Sequence, residues 1–273
     1  MKNKISACLV VYNEEKIIEG CLKSIKGVVD EIIIVHDGPC KDKTLDIARK
    51  YTNKIFVRPH VGMMEAHLVF AYNQVRNEWI LRIDADEFLP EKTRQVIKRL
   101  VNRNDIDGYE FLWRLWDGKM YITKDWPYKL CLFRKNKISY LGFPHTTEEV
   151  NGKILRVNYE LGHRPKYNNY LLSTFKAKWL KWAKVQAEYT LKDFKDLTKF
   201  DYKKQGFKLS IRLKRKFPEI LMVPLIILTF FKTFFIDRFY KAKMKGLKYS
   251  IMNALYQGAI CYHIHKLRQI RKN

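Results

Sequence analysis

Acidic residues are scarce in this sequence. Only 28 Asp and Glu stand against 53 Lys and Arg in 273 residues, a formal net charge of +25. Cysteine is scarce too, and Cys8, Cys21, Cys40, Cys131 and Cys261 show no CxxC or Cys/His spacing. That excludes a disulfide framework and a zinc site, and it reads as reduced thiols in a cytosolic compartment. No internal repeat and no low-complexity tract occurs. The N-terminal apolar run ISACLVVY is closed by Glu14 and Glu15. It is too short for a signal peptide and reads as a first buried strand. The run Ile220–Phe231 holds twelve uncharged residues, is interrupted by Pro224 and is followed by Lys232, short of the roughly 20 that a spanning helix wants.

Hydrophobic residues at 47% and aromatics at 14% supply a sizeable core and exclude global disorder. The charge is unevenly placed. Residues 166–273 carry 25 Lys and Arg against 6 Asp and Glu, a net of +19, leaving 28 against 22, or +6, for residues 1–165. Such a field favours nucleic acid, an anionic membrane surface or anionic substrates.

From residue 5 to 101 short β-branched runs (ISACLVVY, EIIIVHD, KIFVRP, WILRID) alternate with segments whose apolar residues recur at spacings of three and four. That pattern predicts a doubly wound α/β sheet with parallel strands buried on both faces. Asn13 is placed to cap the first helix and Gly27 to stop it. Between 107 and 161 the DGK and NGK turns predict hairpins in a mixed extension of the sheet. From about 167 onward the chain is helical, aromatic and lysine-rich. The expected organisation is a catalytic domain over 1–165, made of a nucleotide-sugar half (1–101) and an acceptor half (102–165), then a helical basic region over 166–273.

Polar groups fall at three strand ends: YNEE after the first, HDGP after the second and DADE after the fourth. Ligands of open parallel sheets bind at the carboxyl ends of the strands. Asp84 and Asp86, two apart, project to one side of an extended backbone. Together they can hold a hard divalent cation that neutralises a diphosphate. Taken alone, a DxD is more often a solvated strand end.

The set VVYNEEKIIEGCLKSI, DEIIIVHDGPCKDKTLDIARKY and RIDADEFL resembles the nucleotide-sugar-binding half of inverting glycosyltransferase family 2, which has the GT-A fold. The later stretches DWPYKLCLFRK, HTTEEVNGK and ELGH resemble a branch that builds lipopolysaccharide cores and other surface glycans. The resemblance covers roughly residues 4–165. It implies that Val11, Tyr12, Asn13 and Glu14 line a nucleoside pocket and that Asp37 lies in the base-reading loop. It implies that Asp84, Ala85 and Asp86 seat ribose, metal and diphosphate, with Mn²⁺ or Mg²⁺ on Asp86 and Asp84 and with His163 as a further ligand. Histidine 36 stands where the family usually has Asp. Inverting transfer needs a carboxylate to take the acceptor's proton, and Glu148, slightly favoured, and Glu149 are the candidates. Glu87 is read as orienting the motif. Arg164 and Lys166 are candidate clamps on the leaving diphosphate, with Lys129 and Arg134 as rivals; Arg58 and Glu65 are weaker site candidates. One of Trp113, Trp116 and Trp126 is an expected sugar platform.

The implied partners are a nucleotide-sugar donor, a saccharide or lipid-linked acceptor and an anionic membrane surface, with the protein peripheral on the cytoplasmic face. The apolar run near 220–236, flanked by RLKRK and by Arg238, Lys241, Lys243 and Lys245, suits a helix lying in the interface. A buried bundle helix, a contact between copies in a homo-oligomer and a true span are the alternatives. A nucleotidyltransferase would carry a Gly-rich basic loop after the first strand, where this chain has acids. A nucleic-acid binder would interleave basic and aromatic residues as in FKAKWLKWAKVQAEY, but an amphipathic helix explains that stretch equally.

Overall fold

The computed structural model describes residues 3–271 in two compact units. The first runs to Trp116 and adds Lys124–Lys166 and Thr198–Lys203; the second comprises Asp117–Thr123, Tyr167–Leu197 and the chain from Lys204 onward. Two short segments therefore lie outside the division expected from sequence.

In the first unit, β1 (Ile5–Val11), β2 (Glu31–Asp37), β3 (Ile55–Arg58) and β4 (Trp79–Arg82) alternate with α1 (Ile18–Ile25), α2 (Thr44–Arg49) and α3 (Glu65–Gln74). There follow β5 (Glu87–Phe88), α4 (Glu91–Val101), β6 (Gly108–Leu112), β7 (Tyr128–Arg134), β8 (Ile138–Leu141), β9 (Glu149–Val150), β10 (Ile154–Glu160), β11 (Gly162–His163) and β12 (Lys199–Phe200). The seven-stranded sheet has the order β10-β6-β7-β4-β1-β2-β3. Strand β7 runs antiparallel to both its neighbours, and the other pairings are parallel.

Period-two alternation divides the core between the faces. Residues Ile5, Ala7, Leu9 and Val11 of β1 pack with Ile18, Leu22, Ile25, Ile97 and Val101 from α1 and α4. Cys8 and Val10 face Leu68, Val69 and Tyr72 of α3. The same rule sends Trp79 and Leu81 of β4 to the first face and Ile80 to the second. Arg82 therefore follows Ile80 toward α3, where Tyr72 lies.

Two expectations are corrected and two are met. Asn13 does not cap α1: the helix begins at Ile18, while Asn13 takes a left-handed φ of 52° and its Oδ1 accepts from the Lys41 amide. The DGK turn forms, with Asp117 Oδ1 accepting from the amides of Lys119 and Met120. It lies in the wide loop between β6 and β7, which pair antiparallel as the expected hairpin and are joined at the loop's base by Trp113 N–H to Pro127 O, 2.8 Å. The NGK turn does not pair its flanks. Strand β9 pairs with β8, while β10 joins β6 in parallel and buries Val157 in the α1/α4 core. Gly27 does sit at a left-handed φ of 75° just after α1.

In the second unit, α5 (Leu172–Thr174) continues through a π-helical turn (Phe175–Trp179) into α6 (Leu180–Leu191). Then come α7 (Leu209–Lys216), α8 (Pro218–Phe231) with its π-helical extension Lys232–Ile236, and α9 (Lys243–Ile270). Phe175, Trp179, Ala183, Ala187 and Leu191 pack on Met252, Tyr256, Ile260 and Ile264, the seam of an α6–α9 pair. Gly258 of α9 lets Ile226 of α8 approach closely, since a Cβ there would lie 2.6 Å from Ile226 Cδ1. Most of the apolar surface of α8 is left uncovered: Ile220, Val223, Ile227, Leu228 and Phe231 are exposed.

Candidate active site

Parallel pairing puts the carboxyl ends of β1, β2, β3 and β4 on one edge of the sheet, so the loops that follow them meet there. Val11 is buried in the core, and the chain turns outward at Tyr12. The Tyr12 ring lies 4.7 Å from that of His60, which comes from the loop after β3. His36 is fully buried beneath this loop. Its Nδ1 lies 2.6 Å from Gly38 O, and a carbonyl can only accept, so the proton is on Nδ1. Nε2 is then left to accept the Asn13 amide at 3.3 Å. A neutral imidazole thus ties the two loops together. The Thr44 hydroxyl accepts the Glu14 amide at 2.6 Å, and Asp42 Oδ2 accepts that of Glu15 at 3.2 Å.

Asp37, expected in the base-reading loop, turns its carboxylate inward. It accepts from the amides of Val61 (2.6 Å) and Gly62 (2.9 Å) and contacts His67 Nε2 at 2.8 Å. Burial alone would raise its pKa, but these hydrogen bonds outweigh burial and hold the carboxyl below its ordinary value. Asp37 therefore secures the loop that presents His60. Arg58 stacks its guanidinium 4.3 Å from the ring centre of Phe70 on α3. Glu65, at the start of α3, is buried and accepts the His145 amide at 3.0 Å.

After β4 the acidic motif closes into a cluster. Glu87 is buried and accepts from the Asp84 amide (2.9 Å), Trp113 Nε1 (2.6 Å) and Lys129 Nζ (2.6 Å). Lys129 also donates to Asp84 Oδ2 at 2.7 Å. Burial, with Asp84 and Asp86 nearby, raises the Glu87 carboxyl despite Lys129. For Asp84 burial acts in the same sense, but Lys129 and Arg82 outweigh it and lower the carboxyl. The short β11 pairs with β5 and sets His163 opposite Glu87. The His163 ring stacks on Trp113, centroids 4.2 Å apart, with Nε2 3.5 Å from Asp86 Oδ2. Ala85 is buried between the two aspartates. Arg164 anchors its amide on Asp86 O and lays its guanidinium near the rings of Phe88 (5.3 Å) and Trp116 (5.4 Å).

The glycosyl transferase family 2 profile matches residues 6–160, more than half of the chain and every strand described above except β11 and β12. The chain belongs to glycosyltransferase family 2. It is 26% identical over 271 residues to an uncharacterized glycosyltransferase of Rickettsia typhi, covering 98% of this chain and 87% of that one. A Rickettsia bellii protein of the same description is 36% identical over 109 residues, 40% of this chain, and the match spans only 36% of that relative's length. Among solved structures, TarS of S. aureus aligns over 97% of this chain and 91% of that one at 16% identity and a TM-score of 0.45. Glucosyl-3-phosphoglycerate synthase from Mycobacterium tuberculosis, in complex with Mn²⁺ and uridine-diphosphate-glucose, aligns over 70% of this chain and 80% of that one at 16% identity and 0.45.

Does this family 2 chain have the donors for a divalent cation? Asp86 Oδ2 and His163 Nε2 face one another, and the Asp86 side chain is part-exposed. The other ring nitrogen of His163, Nδ1, is buried with no hydrogen-bond partner, and would carry the ring proton if Nε2 met a cation. A carboxylate with an imidazole suits Mn²⁺. Among the described residues no set of three or more His, Cys, Asp and Glu is arranged to hold a metal alone. A cation held between these two would need further ligands from outside the protein, such as phosphate oxygens and water, the usual manner of holding Mg²⁺.

The preference for Glu148 as base does not follow the geometry. Its side chain has no exposure, takes Arg82 Nη1 on both oxygens at 3.1 Å and accepts from the Tyr72 hydroxyl. Glu149, one residue on, faces Ser139 across the β8–β9 pair and is partly exposed. Arg134 is not at the site, since it pairs with Glu78 and reaches Ile106 O at the amino end of β4. Trp126 is buried, Trp116 lies by Arg164 and Trp113 serves the cluster. The roles of His60, His67, Tyr72 and Arg82 went unpredicted. A charged Arg82 inside an apolar strand was a signal that a partner was waiting.

Proposed function

We propose that this enzyme is an inverting, Mn²⁺- or Mg²⁺-dependent transferase that moves a sugar from a nucleotide diphosphate to a saccharide or lipid-linked acceptor of the surface-polysaccharide or lipopolysaccharide type. The observation that carries the reading is the convergence of Asp84, Asp86, Glu87 and His163 after β4, with the Tyr12–His60 ring pair on the same edge of the sheet. The rings accept a nucleoside base, and Asn13 and Glu14 line its pocket. Asp86 and His163 would hold the cation, which supplies charge neutralisation at the diphosphate. Arg164, a fixed charge beside Asp86, stabilises the leaving group.

In the transfer, the acceptor oxygen attacks the anomeric carbon from the face opposite the diphosphate as the bond to the diphosphate breaks. Glu149, the accessible one of the two candidate carboxylates, takes the hydroxyl proton. The uncovered apolar face of α8, with Arg212, Lys214, Arg215 and Lys216 before it and Arg238 and Lys241 after it, suits the anionic cytoplasmic face of a membrane. The stretch Pro218–Ile236, 19 residues, is also long and apolar enough to cross one.

The test is incubation of the full chain with Mn²⁺ and a panel of nucleotide sugars, with and without glycan acceptors. The reading requires donor binding and turnover that chelation abolishes. Turnover undiminished by both EDTA and Asp86→Asn would refute the metal's role, and no binding of any donor would refute the transferase reading.

A further inference from the structure

Lys129 reaches the β4 carboxylates from the reversed strand β7. Its ammonium spends two hydrogens on Asp84 Oδ2 (2.7 Å) and Glu87 Oε1 (2.6 Å), while the Asp84 amide donates to the other Glu87 oxygen at 2.9 Å. Trp113 completes the enclosure. Its Nε1 donates to Glu87 Oε1, and its ring centre lies 5.7 Å from the ammonium. The Glu87 side chain has no exposure and that of Lys129 has 16%. Asp84 and Asp86 are similarly exposed, at 24% and 28%, but differ in partner: the Asp86 carboxylate faces His163, not Lys129.

Two carboxylates sharing one ammonium, one of them with no exposure, need a permanent counter-charge. We propose that Lys129 is that resident counter-ion, holding Asp84 and Glu87 out of metal coordination and leaving Asp86 and His163 as the protein's donors to the divalent cation. The proposal rests on the metal-dependent transferase reading. It makes Lys129 and Trp113 positioning residues: Lys129 occupies Asp84, and Trp113 braces both Glu87 and the His163 ring. One consequence is that the empty enzyme binds cation weakly and gains the remaining ligands from the donor's diphosphate.

Mn²⁺ alone titrated into the full chain, with free ion followed by its electron paramagnetic resonance signal, tests this without any turnover. On the usual scale of metal-site substitutions, Asp86→Asn and His163→Ala are expected to weaken binding roughly tenfold or more, and Asp84→Asn to change it less than about threefold. Lys129→Met frees Asp84 and is expected to tighten binding by about tenfold, while Lys129→Arg, which keeps the charge, stays within about threefold of the parent. Thermal unfolding by circular dichroism checks each variant's fold; should Lys129→Met not fold, the Asp84→Asn and Lys129→Arg arms still decide. Weakening by Asp84→Asn as large as that by Asp86→Asn would overturn the proposal and make Asp84 a ligand. Sugar transfer that persists in EDTA, with no Mn²⁺ bound by the parent, would instead sink the metal reading on which it rests.

Discussion

Arg82 carries a charge into a strand whose neighbours Trp79, Ile80 and Leu81 are buried, and Glu148 meets it there with both oxygens. The Glu148 carboxylate lowers the cost of burying the guanidinium and raises its pKa well above the usual range, although burial itself acts the other way. Removing one partner of such a pair leaves an uncompensated buried charge. Glu148→Ala is therefore expected to destabilise the protein by about 3–5 kcal/mol in denaturant unfolding, whereas Arg82→Met with Glu148→Leu should be near neutral. If that double variant folds and still transfers sugar, Glu148 is not the base. On the proposed reading Asp86→Asn removes one of two protein donors, so it should cut metal-dependent donor turnover on the order of a hundredfold with little effect on melting. The Asp84–Asp86 spacing was legible because it is local, two residues along one strand end. The Arg82–Glu148 pair was not, because its members come from segments that only the folded sheet and α3 bring together.

At the scale of elements, turns were recognisable by composition, but their consequences depended on what flanked them. Gly38 has a φ of 94°, and a Cβ there would lie 2.8 Å from His60 Cβ. Its carbonyl also anchors His36. Gly38→Ala should cost about 1–3 kcal/mol in thermal unfolding and weaken donor binding with it, since it strains the loop that carries the Tyr12–His60 pair. The DGK turn is a second case. Burial would raise the Asp117 carboxyl, but Lys245 and the amides of Met120 and Lys119 hold it at about 2. A depressed carboxylate stabilises the fold above its ordinary value near 4, and that contribution is lost as pH falls through 2. Lys245 is half-exposed, so about 1–2 kcal/mol is expected. Lys245→Met should flatten the loss of stability between pH 4 and 2.

For the whole molecule, charge and apolar surface are segregated along the chain. Residues 166–273 hold a net +19, and this region also contains the uncovered face of α8. Membrane binding driven by both terms should be strong on vesicles with anionic lipid and fall as salt rises, while an apolar part persists. Leu228→Glu removes one buried leucine's worth of transfer energy, so vesicle affinity should drop roughly tenfold or more with melting unchanged. Sedimentation with anionic vesicles against neutral ones measures this. A protein held by nucleic acid instead would bind RNA with a steep salt dependence and ignore the substitution.

The sequence by itself determined the strand and helix alternation, the polar strand ends and the basic, apolar C-terminal region. Each of these is written in local periodicity and in residues a few positions apart. Tertiary structure alone decided which polar groups meet: Lys129 with Asp84 and Glu87, Trp113 under His163, and Glu148 against Arg82. These contacts join strands that are distant in sequence, and a side chain's period tells which face it takes but not what stands opposite. The physical reason is that burial of charge is satisfied by whatever partner the packed sheet brings within reach. The same DADE motif could have presented three unpaired carboxylates, and the lysine from β7 instead pairs with two of them, Asp84 and Glu87.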